Sequence, residues 1–292
     1  MKKAIILFNL GGPDKLENVK PFLFNLFNDP AIINLPTFFR YPLAKLIAKK
    51  REPVAQKIYQ ELGGSSPILK LTKDQSSALE NNLNKKDSNN THKCFIVMRC
   101  WHPRAEEVIK EVKLYEPDEI ILMPLYPQYS AATSGSSIKE WKNVCNKNNY
   151  NIKTSTICCY PTDQKFINAH CKEILKKIEG LSNYKLIFSA HGLPEKNIKN
   201  GDPYQWQVEQ SVKKIVDNLY IKDLDWILSY QSRVGPLKWI GPSKKDIIVD
   251  HIWILPNKLS IMKGNKISIW YLKTFGILVF LKLSIFYLLT LL

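Results

Sequence analysis

Arginine is scarce in this sequence, and acidic residues disappear towards its C-terminal end. Only five of the 42 basic residues in the 292-residue chain are arginine, so lysine supplies most of the formal net charge of +16. Arginine is the side chain best suited to bidentate recognition of phosphate or guanine. Because no basic cluster is interleaved with aromatic residues either, we expect no nucleic-acid partner. Glutamate stops at Glu209, and residues 251–292 contain five lysines and no acidic residue.

The six cysteines show no CxxC pair, and none follows Cys171, which excludes a cluster held by C-terminal cysteines. The N-terminal residues 1–15 contain too short an apolar stretch for a secretory signal. A reduced, cytoplasmic location is therefore expected. Hydrophobic residues make up 45% of the chain and charged residues 23%, which excludes a disordered chain and a disulfide-rich miniprotein.

Short apolar runs alternate with helical patterns along the chain. The predicted strands are 4–8, 94–98, 119–123, 152–157, 185–189 and 226–230, and the clearest predicted helix is 203–219 with Asp202 as its cap. This alternation predicts two tandem α/β units with mostly parallel sheets. We expect an N-terminal domain over 1–150, a truncated C-terminal domain over 151–243, and an atypical hydrophobic, basic tail over 244–292.

Polar and aromatic residues follow these strands, where open α/β sheets bind ligands. The segments are 9–13, 99–103, 126–137, 191–194 and 231–236. Aromatic rings, hydroxyls and few cations favour a flat, partly apolar anion over a nucleotide. His191 follows a strand and precedes Gly192, which favours a metal ligand or proton acceptor over a buried structural histidine. His102 is the second candidate.

Other signals leave a structural and a functional interpretation open. Arg99 and Arg233 would hold either a ligand carboxylate or an internal salt bridge. The rings of Trp101, Tyr126 and Tyr129 would stack on a planar ligand or pack in the core. The loop at 9–13 is neither a GxGxxG motif nor a P-loop, so an ordinary strand-to-helix turn is favoured. The Cys158-Cys159 pair is predicted to face opposite sides of a strand, without a redox role.

Six motifs together resemble the ferrochelatases, which insert ferrous iron into protoporphyrin IX. They are LFNLGGP at 7–13, MRCWHP at 98–103, LYPQYSAATSGSS at 125–137, FSAHGLP at 188–194, GDPYQWQ at 201–207 and SYQSRVGPLKWIGPS at 229–243. The resemblance implies two Rossmann-like domains with porphyrin between them, and His191 as iron ligand and proton acceptor. It also implies that Arg99, Tyr126, Leu10 and Ser130 bind the porphyrin. Iron is then a substrate, and neither a resident cofactor nor an iron–sulfur cluster is expected.

The sequence departs from the family pattern at two places. Cys100 stands where the family usually has tyrosine. No glutamate follows Glu209, so the chain has no counterpart of the family's His-Ser-x-Glu segment. Residues 244–292 are interpreted as an out-of-frame or rearranged tail, with membrane association as the second interpretation. The second sheet is expected to lack its last strand. The missing glutamate would impair catalysis, and the alternative function is a non-catalytic porphyrin- or haem-binding remnant, peripheral at the inner membrane.

Overall fold

The computed structural model of the chain describes residues 1–182, 184–231, 237–243 and 268–271. It contains two parallel sheets, each flanked by helices. The strands are β1 Lys2–Asn9, β2 Thr91–Met98, β3 Glu119–Pro124, β4 Thr154–Thr156, β5 Leu186–His191, β6 Trp226–Gln231 and β7 Ser268–Tyr271. The helices are α1 Val19–Phe27, α2 Thr37–Glu61, α3 Ile68–Lys86, α4 Ala105–Tyr115, α5 Ser136–Lys147, α6 Gln164–Ile178, α7 Glu195–Lys199 and α8 Tyr204–Leu219.

The first sheet has the strand order β2-β1-β3-β4, and every neighbouring pair is parallel. Residues Ala4–Phe8 of β1 are all buried, as a central strand covered by helices on both faces requires. This confirms the interpretation of the continuous apolar runs as parallel strands. Because β4 pairs with β3, the first sheet extends past residue 150.

The second sheet has the order β6-β5-β7, again with parallel pairs. Its third strand, β7, lies in the segment that departs from the family pattern, where Ser268 pairs with Leu186 and Tyr271 with Ser189. The described part of this sheet thus has three strands, and the expectation that the sheet lacks its last strand stays a prediction. The other residues of the 244–292 tail, including His251, lie outside the described residues, so both interpretations of the tail stay predictions.

Helix α8 follows the predicted pattern closely. Val208, Val212 and Ile215 are buried against the second sheet, and Asp202 Oδ1 accepts a hydrogen bond from the Tyr204 backbone amide at 3.0 Å. The N-cap of α8 is Pro203, one residue later than predicted, so the prediction of Asp202 as the cap residue is wrong by one position. Asp202 still satisfies the Tyr204 amide, which the first helical turn leaves without an intrahelical partner.

The start of α8 is also bonded to the loop that follows β3. The contacts run from Gln128 Nε2 to Ser211 Oγ at 2.8 Å, from the Tyr129 amide to Gln207 Oε1 at 2.7 Å, and from Ser130 Oγ and the Ala131 amide to Asp202 Oδ2 at 2.9 Å each. Most of the side chains involved are buried. We call this set of contacts the junction, because it joins the two sheet-bearing parts of the chain.

No helix in the described ranges is both long enough and apolar enough to cross a membrane.

Candidate functional site

The strand ends hold the side chains that the sequence predicted to be functional. His191 is the last residue of β5 and pairs with Gln231, the last residue of β6. Arg99 follows β2 directly, and its amide donates to the Asn9 carbonyl at 2.8 Å. The structure therefore places these residues at the carboxyl ends of their sheets, as predicted. Arg233, the other candidate arginine, lies outside the described residues.

The tautomer of the His191 imidazole is fixed by a hydrogen bond to the backbone of the next residue. Its Nδ1 lies 2.7 Å from the Gly192 carbonyl oxygen, which can only accept, so Nδ1 carries the proton and the lone pair lies on Nε2. Burial lowers the pKa of His191 below its ordinary value, although the bond to Gly192 opposes this shift. At neutral pH the ring is therefore neutral, which is the form that binds a metal or accepts a proton.

Two neighbours hold the end of β5 in place. The Tyr204 hydroxyl donates to the His191 carbonyl at 3.0 Å, and the Gly192 amide donates to the Gln231 carbonyl at 2.7 Å. A Cβ atom on Gly192 would lie only 3.0 Å from that carbonyl, which explains why glycine follows the histidine. The flanking motif residues thus fix the imidazole relative to the sheet.

Arg99 sits between two acidic side chains. Its Nη2 lies 2.9 Å from Asp29 Oδ2, and its Nη1 lies 2.7 Å from Glu140 Oε1, which also receives Arg104 at 2.8 Å. The Asp29 side chain is only 3% exposed. Burial raises the pKa of Glu140, and the two guanidinium groups oppose that rise. Of the two interpretations of Arg99, the structure shows the internal salt bridge.

Tyr126 and Cys100 lie beside this ion pair network. Both are buried, and burial raises the pKa of the Tyr126 hydroxyl well above its ordinary value and that of the Cys100 thiol to about 12. The Tyr126 hydroxyl interacts with Ser137. These two side chains therefore stay protonated at neutral pH and add no negative charge beside Arg99.

The loop that follows β1 is packed against protein on both sides. The Leu10 carbonyl accepts from the Cys100 amide at 2.8 Å, and Leu10 itself is partly exposed. Gly11 has φ +86°, and a Cβ atom there would lie 3.0 Å from the Trp101 amide nitrogen. The close approach is to the chain itself, in agreement with the predicted strand-to-helix turn.

We expect Gly11→Ala to lower the free energy of unfolding by more than about 2 kcal/mol, since it combines a left-handed backbone with a close contact. Gly180→Ala is the matched control, because Gly180 has φ +71° but no atom lies within 4 Å of the position that a Cβ atom would take there. Denaturant unfolding measures both variants. Equal losses would show that the contact with Trp101 contributes nothing.

Comparisons with known proteins agree with this geometry. A ferrochelatase family model matches residues 2–252. The chain belongs to the ferrochelatase family. A ferrochelatase from Pelagibacter ubique is 76% identical over 262 residues, which cover 88% of this chain and 76% of that protein. A ferrochelatase from Wolbachia sp. (subsp. Drosophila simulans) is 53% identical over 246 residues, covering 83% of this chain and 78% of that protein.

The fold has a solved relative of low sequence identity. The structure described as SirB from Bacillus subtilis with Fe3+ superposes with a TM-score of 0.54 at 11% identity, over 100% of this chain and 94% of that one. This likeness supports the α/β fold with two parallel sheets, which was predicted from the sequence. Family membership likewise confirms the resemblance drawn from the six motifs and favours the enzyme over the porphyrin-binding remnant.

Several other predicted candidates are bonded to neighbouring protein groups in this member of the ferrochelatase family. The exposed His102 bonds through Nδ1 to Glu107 Oε1 at 2.6 Å, beside the start of α4. Trp101 packs in the core against α1, and its indole donates to Asp14 at 3.1 Å. Ser130 is buried and donates to Asp202. The role of Ser130 at the porphyrin stays a prediction.

The interpretation of Cys158 and Cys159 as strand residues on opposite faces is wrong. Strand β4 ends at Thr156, and the two sulfur atoms lie 3.2 Å apart. Sequence reasoning also missed Asp29, Glu140 and Gln207 as partners of the motif residues. The one signal that could have found them was chemical: a buried arginine requires acidic partners, but nothing in the spacing indicates which ones.

Proposed function

We propose that this chain inserts ferrous iron into protoporphyrin IX to make protohaem, with His191 as metal ligand and proton acceptor. The observation that carries this proposal is the neutral imidazole at the end of β5, whose lone pair lies on Nε2. Imidazole is a suitable ligand for ferrous iron. Iron enters and leaves as substrate and product, so the proposal requires no resident cofactor.

Metallation releases two protons from the pyrrole nitrogens as the divalent ion takes their place. A neutral imidazole beside the ring can accept a proton and can present the ion to the ring face. Because burial keeps the pKa of His191 low, the proton it accepts is readily released again to solvent. The histidine therefore returns to its neutral form after each transfer.

The porphyrin wall is assigned to Leu10, Tyr126, Arg99 and Ser130. Leu10 is partly exposed and can contact the ring directly, whereas Tyr126 and Ser130 are buried. Arg99 is held by Asp29 and Glu140. We infer that the three residues other than Leu10 act on the porphyrin by supporting the surface that faces it.

The test is metalloporphyrin formation by the purified full chain, with ferrous iron under anaerobic conditions and with Zn2+ in a parallel assay. Turnover supports the enzyme even without a glutamate after Glu209. Quenching of porphyrin fluorescence without turnover would instead support a binding protein. No product above the level of a His191→Ala protein would overturn the enzymatic proposal for this chain.

We further propose that α2 makes peripheral contact with an anionic membrane surface. Its exposed side chains include Phe38 at 83%, Phe39 at 61% and Leu46 at 64% of their full accessible area. The helix sequence contains six basic residues and two acidic ones. Exposed apolar side chains beside lysines and arginines are typical of helices that lie in the headgroup region.

The change Phe38→Ser/Phe39→Ser should weaken binding to anionic lipid vesicles at least about tenfold, since each buried phenylalanine is worth roughly 1.5–3 kcal/mol. Co-sedimentation with vesicles of defined composition measures this. Leu114→Ser is the control, because Leu114 is 85% exposed but lies at the end of α4. Membrane contact through α2 is contradicted by equal binding of neutral and anionic vesicles, or by equal effects of both variants.

A further inference from the structure

Two adjacent cysteines lie together on the surface, between the first sheet and the junction. The Cys158 thiol donates to Cys159 Sγ at 3.2 Å. Cys158 is exposed and Cys159 is partly exposed. Both thiols are therefore accessible to a small molecule at the same time, on the side of the sheet where the strands end.

The backbone holds this pair from both sides. The Ile157 amide donates to the Leu122 carbonyl at 2.9 Å, and the Tyr160 amide donates to the Pro127 carbonyl at 2.8 Å. Gln207 Nε2 also donates to Cys159 Sγ at 3.5 Å. Because the residues before and after the pair are anchored, the backbone loses little additional freedom when both sulfur atoms bind one ligand.

The other four cysteines differ from this pair. Cys100 and Cys171 are buried, and although Cys94 and Cys145 are partly exposed like Cys159, no contact joins either of them to another cysteine in the described residues. Burial raises the pKa of Cys94 to about 12 and that of Cys171 to about 11. A reagent whose central atom binds two protein thiols therefore finds two accessible sulfur atoms in contact at Cys158 and Cys159.

We propose that Cys158 and Cys159 form a binding site for a trivalent, sulfur-seeking metalloid, of which an arsenical is the test case. Both sulfurs bind the same centre, and its third ligand comes with the metalloid. No group of three or more His, Cys, Asp or Glu residues suited to a metal occurs in the described part of the chain. A structural zinc site, which needs four ligands, is therefore disfavoured here.

Binding is a condensation without a change of oxidation state. Phenylarsine oxide contributes one arsenic–oxygen group, two sulfur–arsenic bonds form, and the oxygen leaves as water with the two thiol protons. The pKa of Cys158 is raised to about 11, first by desolvation and then by its bond to Cys159, so this thiol carries its proton at neutral pH.

Titration of the full chain with phenylarsine oxide, followed by intact-mass measurement, tests the site. We expect one equivalent of phenylarsine oxide to bind tightly. An added dithiol should remove the arsenical from the protein, whereas an equal concentration of a monothiol should not. Cys158→Ser and Cys159→Ser should each weaken binding by roughly a hundredfold, since each leaves only one sulfur for the arsenic.

Cys145→Ser is the matched control, because that thiol is partly buried and lies on α5. The proposal is overturned if Cys158→Ser binds phenylarsine oxide as tightly as the natural chain, or if Cys145→Ser loses binding equally. Competition by Zn2+ at equal affinity would overturn the choice of a metalloid. Serine at position 159 keeps an acceptor for Gln207, so the fold is retained.

Discussion

Purified His191→Ala protein should form metalloporphyrin at least about a hundredfold more slowly than the natural chain, the usual contribution of a positioned proton acceptor. The substitution removes both the metal ligand and the acceptor from the end of β5. The Tyr204 hydroxyl can still donate to the carbonyl of residue 191, and the Gly192 amide can still donate to Gln231, so the sheet should persist. Initial rates of iron- and zinc-protoporphyrin formation measure the loss.

His102→Ala is the control for this experiment. Its imidazole is exposed and bonds to Glu107, outside the second sheet, so the rate should stay within about twofold of the natural chain, as is usual for surface substitutions. Porphyrin binding, followed by fluorescence quenching, should be similar in both variants. An unchanged rate in His191→Ala, or equal losses in both proteins, would contradict the role assigned to His191.

The pH profile gives His191 a signature of its own. Burial depresses the pKa of the folded histidine, so the neutral ring persists as pH falls through its ordinary value near 6.5. The acid limb of kcat/KM should therefore lie below that value. The unfolded chain takes up this proton first, so the contribution of His191 to folding stability is intact above pH 6.5 and declines below it. An acid limb above 6.5 would contradict the assignment.

Arg99→Ala should lower the free energy of unfolding by about 3–5 kcal/mol, because it leaves buried acidic groups without their partner. Asp29 Oδ2 loses its contact at 2.9 Å, whereas Glu140 keeps Arg104. Most of the cost therefore comes from Asp29. Denaturant unfolding followed by circular dichroism measures it.

Combining Arg99→Ala with Asp29→Asn should recover much of that loss, since the second change removes the unpaired charge. Arg51→Ala is the surface control, because Arg51 is exposed and only covers the Phe27 ring. If Arg99→Ala were as mild as Arg51→Ala, the ion pair network would contribute little. No recovery in the double variant would mean that Glu140 carries the cost instead.

The sequence predicted the strands well because their signal is local. Continuous apolar runs such as Ala4–Phe8 are buried on both faces, and that pattern depends only on neighbouring residues. Strand β4 was overpredicted at 152–157, since only Thr154–Thr156 pair with β3. The length of an edge strand depends on its partner, which lies elsewhere in the chain.

The location of the candidate site residues could be predicted where position within an element decides it, but not where tertiary partners decide it, and their roles stay predictions. His191 was predicted to end a strand, and it is the last residue of β5. The partners of Arg99 could not be found, since Glu140 lies 41 residues away on α5. The contact between Cys158 and Cys159 was also missed, because the orientation of the two thiols depends on the path of the backbone after β4. Tertiary hydrogen bonds at Ile157 and Tyr160 hold that path.

The junction restricts which amino-acid substitutions this sequence can accept. Gln128 and Ser211 are both buried and bond to each other across 83 residues of sequence. Losing the Ser211 hydroxyl removes the acceptor of the buried Gln128 amide, at a cost of about 1–3 kcal/mol. Losing Gln128 costs less, because the Ser211 hydroxyl keeps its bonds to the Pro161 and Gln207 carbonyls. A substitution of Ser211 should therefore be tolerated better when Gln128 changes with it. The segments 125–137 and 201–211, which look like separate signatures, therefore record one physical constraint.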